Sequence, residues 1–416
     1  MPDAKIIRGG PKGIVQVPPS KSMGHRAIIC GALASKGGRT LIKSPGNSQD
    51  IDATLSAMKG LGFRFCREGD DVSAVAYGGK ETDEKIDCSE SGSTLRFLLP
   101  IAAVLGKSVT FTGRGRLMER PLGAYAHIFK KSGVDFSQGE GGARISGKLK
   151  SGSYSLAGDV SSQFVSGLLL ALPMAFGDSE ILLTTPLESK AYVDMTISMM
   201  SRFSVSVNSH ERGYVIRGGQ RYMPVNSCKV EGDYSQAAFF LGASALGRDV
   251  SCAGLDENSL QGDRAILRVL EDMGAKITRK DGLISAGAER LRAVTVSAAQ
   301  IPDLVPPIAA LCCFCQGESK IVDAARLRIK ESDRLRALAV QLGALGADIE
   351  EFEDGLVIRG KEMLKGGSAD ACNDHRIAMA VALASLRCKE QVRLTGWESV
   401  KKSYPNFWAD FEKEDV

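Results

Sequence analysis

LGFRF (61–65), SGVDF (132–136), FSVSV (203–207), MGAKI (273–277) and LGADI (345–349) are one junction met five times: an apolar helical pattern halts at a small residue and a hydrophobic alternation takes over. The small residues are Gly62, Gly133, Ser204, Gly274 and Gly346, at spacings of 71, 71, 70 and 72. Periods of this length mark stacked supersecondary units, each unable to bury its apolar face alone, and six units of roughly 70 residues account for the whole chain. A sixth marker falls one residue past Val416.

The flanks of each junction repeat as well. Apolar helices are expected from SKSMGHRAIICGALA (20–34), SGSTLRFLLPIAAVL (91–105), SSQFVSGLLLALPMAF (161–176), DYSQAAFFLGASAL (233–246), PDLVPPIAALCCF (302–314) and NDHRIAMAVALASL (373–386). Little of their circumference is polar beyond the first turn, which makes them buried inner helices. Short strands follow at 39–44, 108–113, 179–185, 249–254, 319–324 and 391–396. Amphipathic outer helices are expected at 48–61, 119–132, 188–203, 258–273, 330–345 and 402–413, and hairpins close the units. Asp281-Gly282 and Asp354-Gly355 are two-residue turn signals. The sixth unit ends before its hairpin, and the unclaimed strand-like pieces KIIRGG and GIVQVP at residues 5–17 are expected to supply it. That closure makes one domain discontinuous.

A chain of 416 residues exceeds what one core usually serves, so two domains are expected. A net charge of +4 over 53 basic and 49 acidic residues does not indicate a nucleic-acid protein. The N-terminus MPDAKIIRGG lacks a signal pattern and no apolar run approaches the length of a membrane span, which places the protein in the cytoplasm. Most of the ten cysteines sit in apolar runs and read as buried thiols. Cys312 and Cys315 form a CxxC without a second pair, so no metal site is expected.

Polar and charged residues that do not suit an apolar helix gather at helix starts. Lys21, Ser22 and Arg26 open the first inner helix, Ser161, Ser162 and Gln163 the third, Asp303 the fifth, and Asn373, Asp374, His375 and Arg376 the sixth. The outer helices are expected to start alike, with Arg120, with Ser189, Lys190 and Tyr192, with Lys330, Glu331 and Arg334, and with Lys402. Helix starts carry partial positive charge, so added cations there imply a bound anion. Ser161, Ser162, Ser189 and Asp303 taken singly read as N-caps, and Asp374 with Arg376 or Glu331 with Arg334 as local ion pairs on a solvated face. Independent capping does not explain the basic residues recurring at equivalent ends.

PSKSxxxRA (19–27), SGSTLR (91–96), MERP (118–121), SSQF (161–164), SKAYVD (189–194), EGDYS (231–235), IPD (301–303), IKESDRL (329–335) and NDHRIAM (373–379) run in the order found in the 5-enolpyruvylshikimate-3-phosphate synthase family, and the chain resembles that family from end to end. The resemblance implies an α/β fold of two domains with three βαβαββ repeats each, the inside-out α/β barrel of enolpyruvyl transferases. Residues 20–229 would form an inserted domain and 1–19 plus 230–416 a discontinuous one, with the active site in the cleft between them.

It also implies the reaction, in which phosphoenolpyruvate and shikimate 3-phosphate give the enolpyruvyl ether and phosphate without a cofactor or metal. By position, Lys21, Ser22, Arg26, Ser161, Ser162, Gln163, Ser189, Tyr192, Asp303 and Lys330 resemble shikimate 3-phosphate ligands. Lys21, Gly92, Arg120, Gln163, Arg334, His375, Arg376 and Lys402 resemble the phosphoenolpyruvate side. Attack of the ring 5-hydroxyl on C2 with protonation of C3 needs two opposed proton transfers, which suit two carboxylates. Asp303 is expected as the hydroxyl base and Glu331 as the group that delivers and later removes the C3 proton, with Lys21 assisting. The intermediate would be a tetrahedral adduct never attached to the protein, in a monomer with no nucleic-acid or membrane partner.

Two positions depart from the commoner pattern: Glu90 precedes SGST where asparagine is frequent, and Arg326 stands where some members place a substrate-binding asparagine. Enolpyruvyl transfer to a UDP-amino sugar is disfavoured because the loop GRGRLMERP (113–121) lacks the cysteine usual in that sister family. A non-catalytic anion-binding protein would need the cations but neither Asp303 nor Glu331.

Overall fold

The computed structural model describes residues 3–76 and 82–413. The two chain ends, Met1 and Val416, which limit the expected discontinuous domain, lie outside them. The chain divides into two compact units, Met1–Pro18 with Glu231–Val416 and Pro19–Val230. Each has one continuous apolar core.

Helices of two classes alternate along the chain: α1 (Lys21–Ala34), α2 (Gln49–Gly60), α3 (Gly92–Val104), α4 (Gly123–Lys131), α5 (Ser162–Ala171), α6 (Lys190–Arg202), α7 (Tyr234–Ala245), α8 (Ile266–Asp272), α9 (Val305–Cys312), α10 (Arg334–Ala344), α11 (His375–Ser385) and α12 (Phe407–Phe411). The odd-numbered helices are the inner ones; α7 and α9 are buried along their whole length. Outer helix α10 instead buries one stripe through Leu335, Leu338 and Leu342. Arg336, Val340 and Gln341 lie off that stripe, with Val340 exposed.

Each unit of the repeat builds a small sheet. Lys85–Asp87 runs parallel to Val109–Thr112, which pairs antiparallel with Gly142–Ser146, itself in a hairpin with Asp135–Gly139. The parallel step requires a crossover, and α3 makes it. Five such four-stranded sheets and one of three strands are present among the described residues. Apart from GIVQVP ahead of α1, the sequence does not show the strand ahead of each inner helix. Segments such as KID (85–87), SCK (227–229) and TVS (295–297) are three residues long, too short to show an alternation.

Two of these leading strands are exchanged between the units. β1 (Ala4–Ile7) pairs antiparallel with Val392–Thr395, whereas β2 (Gly13–Gln16) runs parallel to Val250–Ala253. Ser227–Lys229 runs parallel to Thr40–Lys43. The N-terminus therefore gives the sixth sheet one strand and not the expected hairpin. β2 instead fills the edge beside Val250–Ala253, because Ser227–Lys229, the strand just ahead of α7, is used by the first sheet.

The marker residues all adopt left-handed backbone, with φ of 100° at Gly62, 68° at Gly133, 63° at Ser204, 93° at Gly274 and 98° at Gly346. They are helix C-terminal stops, a position where a Cβ is unfavourable and glycine dominates. The Asp281-Gly282 turn has φ of 51° and 75° as its sequence predicts. At the other signal the turn falls one residue earlier, on Glu353-Asp354, since Phe352 pairs with Gly355. Gly355 serves a close approach: a Cβ there would fall 2.1 Å from the Ile321 carbonyl oxygen of the adjacent strand.

Four outer helices start well after their expected positions, and α8 begins only at Ile266 behind a 3₁₀ turn at Gly262–Ala265. Arg120 precedes Pro121 and is held extended, so α4 begins only at Gly123. A 3₁₀ turn, Ala325–Ile329, ends at Lys330, and α10 is capped by Asp333, whose side chain accepts from Arg336 N. Lys402 closes a 3₁₀ segment, Trp397–Lys402, with α12 starting beyond Pro405 at Phe407. These three cations are therefore not on helix starts. Lys21, Lys190, Arg334, His375 and Arg376 do stand in the first turns of their helices.

Candidate active site

In the unit that carries the termini, the starts of α10 and α11 and the turn before α9 converge on one guanidinium. Arg334 is buried; its Nε donates to Asp374 Oδ2 (2.8 Å), Nη1 to Asp303 Oδ1 (2.9 Å) and Nη2 to Glu331 Oε2 (2.7 Å). Arg376 donates through Nη2 to Asp303 Oδ2 (3.1 Å) and Ser235 Oγ (2.9 Å), and through Nη1 to the Asp303 carbonyl (3.1 Å). Asp374 caps α11 by accepting from Arg376 N and also receives the Ser332 hydroxyl. It is thus not a local ion pair on a solvated face but the buried support of Arg334. Lys402 Nζ donates to the Asn373 carbonyl at 2.6 Å, and His375 Nδ1 stands 3.8 Å from Asp374 Oδ1.

Burial on its own would raise the Asp303 pKa, yet the charges of Arg376, Lys330 and Arg334 outweigh it and hold the carboxyl well below the usual range. Lys330 is pushed the other way. Burial, against the pull of Asp303 and with the repulsion of Arg326 and Arg334, brings its ammonium down to about 8. The sequence marked Arg326 as a departure, and its Nη2 donates to the Ala299 carbonyl at 2.5 Å.

The second unit gathers its polar residues at the starts of α1, α2, α3 and α5. Lys21 Nζ pairs with Asp50 Oδ2 at 2.7 Å. Gly92 opens α3 where a Cβ would lie 2.8 Å from Arg120 Nη1 and 3.0 Å from Arg96 Nη1. Arg96 in turn donates to Gln163 Oε1 (2.7 Å), and Gln163 Nε2 to Ser93 Oγ (2.9 Å). Lys21, Gly92, Arg120 and Gln163 thus lie on or against neighbouring helix starts. Glu90 turns toward the 113–121 loop, where a Gly115 Cβ would meet Glu90 Oε2 at 2.7 Å.

Around α6 the arrangement is tighter. Arg26 is buried, and its Nε, Nη1 and Nη2 donate to Thr196 Oγ1, the Ser22 carbonyl and the Tyr192 carbonyl, each at 2.7 Å. Burial pushes its pKa down to about 10. Ser161 caps α5 through Gln163 N, with Ser162 as the first helical residue. Ser189 precedes α6 with φ of 53°, a left-handed serine of the kind that backbone strain leaves at functional sites.

Residues 8–411 match the family described as EPSP synthase (3-phosphoshikimate 1-carboxyvinyltransferase). The chain belongs to this family. A 3-phosphoshikimate 1-carboxyvinyltransferase from Clostridium kluyveri is 48% identical over 404 residues, covering 96% of this chain and 94% of that protein. One from Clostridium novyi is 45% identical, covering 99% and 97%. Among solved structures, the EPSP synthase of Acinetobacter baumannii superposes with a TM-score of 0.80 at 28% identity, covering 97% of this chain and 96% of that one. The enolpyruvyl transferase NikO from Streptomyces tendae has a TM-score of 0.79 at 16% identity, which speaks for the fold alone.

Several members of the polar clusters escaped the sequence reading. Asp50, Arg96, Ser235 and Ser332 were not singled out, and Asp374 was read as a partner of Arg376. Arg96 left a signal, as the lone cation in the apolar run LRFLLPIAAV. Asp50 left none, because an acidic residue in the first turn of an outer helix is ordinary.

Proposed function

We propose that the chain transfers the enolpyruvyl group of phosphoenolpyruvate to the 5-hydroxyl of shikimate 3-phosphate and releases phosphate, the shikimate-pathway step for which its relatives are named. The observation that supports it best is the pairing of Asp303 and Glu331 on Arg334, with Arg376 and Lys330 beside them. Two carboxylates among cations are what a reaction with two opposed proton transfers between anions needs.

In this reading the polar residues divide between the two substrates. Lys21, Gly92, Arg120, Gln163, Arg334, His375, Arg376 and Lys402 take phosphoenolpyruvate; Lys21, Ser22, Arg26, Ser161, Ser162, Gln163, Ser189, Tyr192, Asp303 and Lys330 take shikimate 3-phosphate. The substrates bring roughly five negative charges, within the reach of Arg and Lys without a metal.

Asp303 accepts from two guanidiniums and is a weak base while they hold it. An incoming carboxylate or phosphate competes for Arg334 and Arg376, and as their donors turn to the substrate the Asp303 pKa rises toward that of a useful base. Glu331 is released from Arg334 by the same exchange and, after taking up a proton from solvent, would deliver it to C3. Base strength would thus be coupled to substrate occupancy. We place the protein in the cytoplasm as a monomer; among the described residues no helix is long and apolar enough to cross a membrane.

Mixing the purified protein with both substrates should release phosphate at an enzymatic rate, and omission of either should abolish it. Background release with folded protein would reject the assignment.

A further inference from the structure

One turn inside the starts of α1, α2 and α3, four side chains form a buried chain that the reaction itself does not call for. His25 Nδ1 lies 2.6 Å from Thr54 Oγ1, Thr54 Oγ1 lies 2.6 Å from Thr94 Oγ1, and Thr94 Oγ1 donates to Ser91 Oγ at 2.7 Å. Ser91 also caps α3 by accepting from Thr94 N. All four residues are at most 1% exposed.

The direction of the protons follows from counting them. With the Thr94 hydroxyl donating to Ser91, the proton in the 2.6 Å Thr54–Thr94 contact comes from Thr54, which also has the Asp50 carbonyl at 3.2 Å, and His25 must donate through Nδ1 to Thr54. Nε2 is then a bare acceptor, consistent with its having no hydrogen-bond partner among the described residues. A charged ring would put an unpaired donor beside Lys21 and Arg26, and burial with those two cations keeps it neutral.

Such a chain adds little stability over apolar residues of the same shape, since hydrogen bonds replaced pairwise by packing cost little net energy. What it adds is direction: a satisfied buried network admits one arrangement of the elements it joins. These elements carry Lys21 at the start of α1, Asp50 in the first turn of α2 and Gly92 at the start of α3, with the Lys21–Asp50 ion pair parallel to the chain. By contrast, Arg26 is anchored separately on α6 through Thr196 and Tyr192.

We propose that His25, Thr54, Thr94 and Ser91 are positioning residues that fix the first turns of α1, α2 and α3 against one another, and so set Lys21 against Gly92 for phosphoenolpyruvate, with Asp50 aiming the ammonium. The proposal rests on the assignment of those two residues to phosphoenolpyruvate, and the KM of Gly92→Ala for each substrate tests that assignment separately.

Thr54→Val keeps the shape and removes the central hydroxyl. It should raise KM for phosphoenolpyruvate at least fivefold, and at least three times as much as KM for shikimate 3-phosphate, which Lys21 also serves, and Thr54→Ser should restore the wild-type values. Thr94→Val serves the same purpose if the first variant does not fold. Equal effects on both KM values, or a lowered melting temperature with neither KM changed, would overturn the positioning role. Nitrogen-15 NMR of the histidine rings should show His25 neutral with its proton on Nδ1 at pH 7; a proton on Nε2 would overturn the proposed chain.

Discussion

Gly92 shows how little room a single residue leaves at this site. A methyl group at that position meets Arg120 Nη1 at 2.8 Å and Arg96 Nη1 at 3.0 Å, closer than real Cβ atoms come to their neighbours. Gly92→Ala should displace the Arg120 guanidinium and raise KM for phosphoenolpyruvate roughly tenfold, equivalent to about 1.4 kcal/mol of binding. Steady-state kinetics with each substrate varied in turn checks it, because KM for shikimate 3-phosphate should stay near wild type. Lys330 makes a second prediction at this scale. Its ammonium is the form that pairs with a phosphate, and a pKa brought down to about 8 means that raising the pH through that value removes the charge. The kcat/KM for shikimate 3-phosphate, which reports groups of the free enzyme, should therefore fall above about pH 8. Lys330→Arg, charged throughout, should lose that limb of the profile.

At the scale of elements, the sequence is legible where one physical rule dominates. Apolar runs flanked by a small residue predict the twelve helices found among the described residues and the hairpins of the first five units, because burial and a left-handed stop act on these units alike, whereas the hairpin expected for the sixth is a single strand. Starts were misplaced where a local residue overrode the pattern: Pro121 delayed α4, Asp333 out-competed Lys330 as the α10 boundary, and Pro405 delayed α12. Candidate site residues that belong to motifs were found, but Asp50 and Thr54, whose partners are 29 and 40 positions away, carry no local mark. Pairings of that kind exist only after the helices have packed. The stop itself can be tested at Gly346, where φ is 98° and a Cβ would sit 3.2 Å from Lys365 N. Gly346→Ala should cost about 1–2 kcal/mol, the price of a Cβ in left-handed backbone. Urea unfolding with an unchanged slope and a lower midpoint would register it, whereas an unchanged midpoint would deny that the marker is conformational.

For the whole molecule, the exchanged strands decide which pieces of chain can stand alone. Every strand in the sheets of Pro19–Val230 lies within that segment, including Ser227–Lys229 at the edge of the first sheet. The other unit depends on residues far away in sequence: β1 completes the sheet of Val392–Thr395, and β2 covers the edge of Val250–Ala253. Ile7, Val15 and Val17 are buried in that unit's core, and burying each such side chain contributes about 1.5–3 kcal/mol. A protein expressed from residue 19 onward would therefore lose roughly 5–9 kcal/mol from one unit, comparable to the whole stability of many domains, and would bare two strand edges. Residues 19–230 expressed by themselves should still unfold cooperatively in urea, with near-native far-ultraviolet circular dichroism. Residues 231–416 should be largely unfolded or aggregated until a peptide spanning residues 3–18 is added, when helical signal should return. Folding of 231–416 without that peptide would mean that the two N-terminal strands decorate the unit and do not complete it.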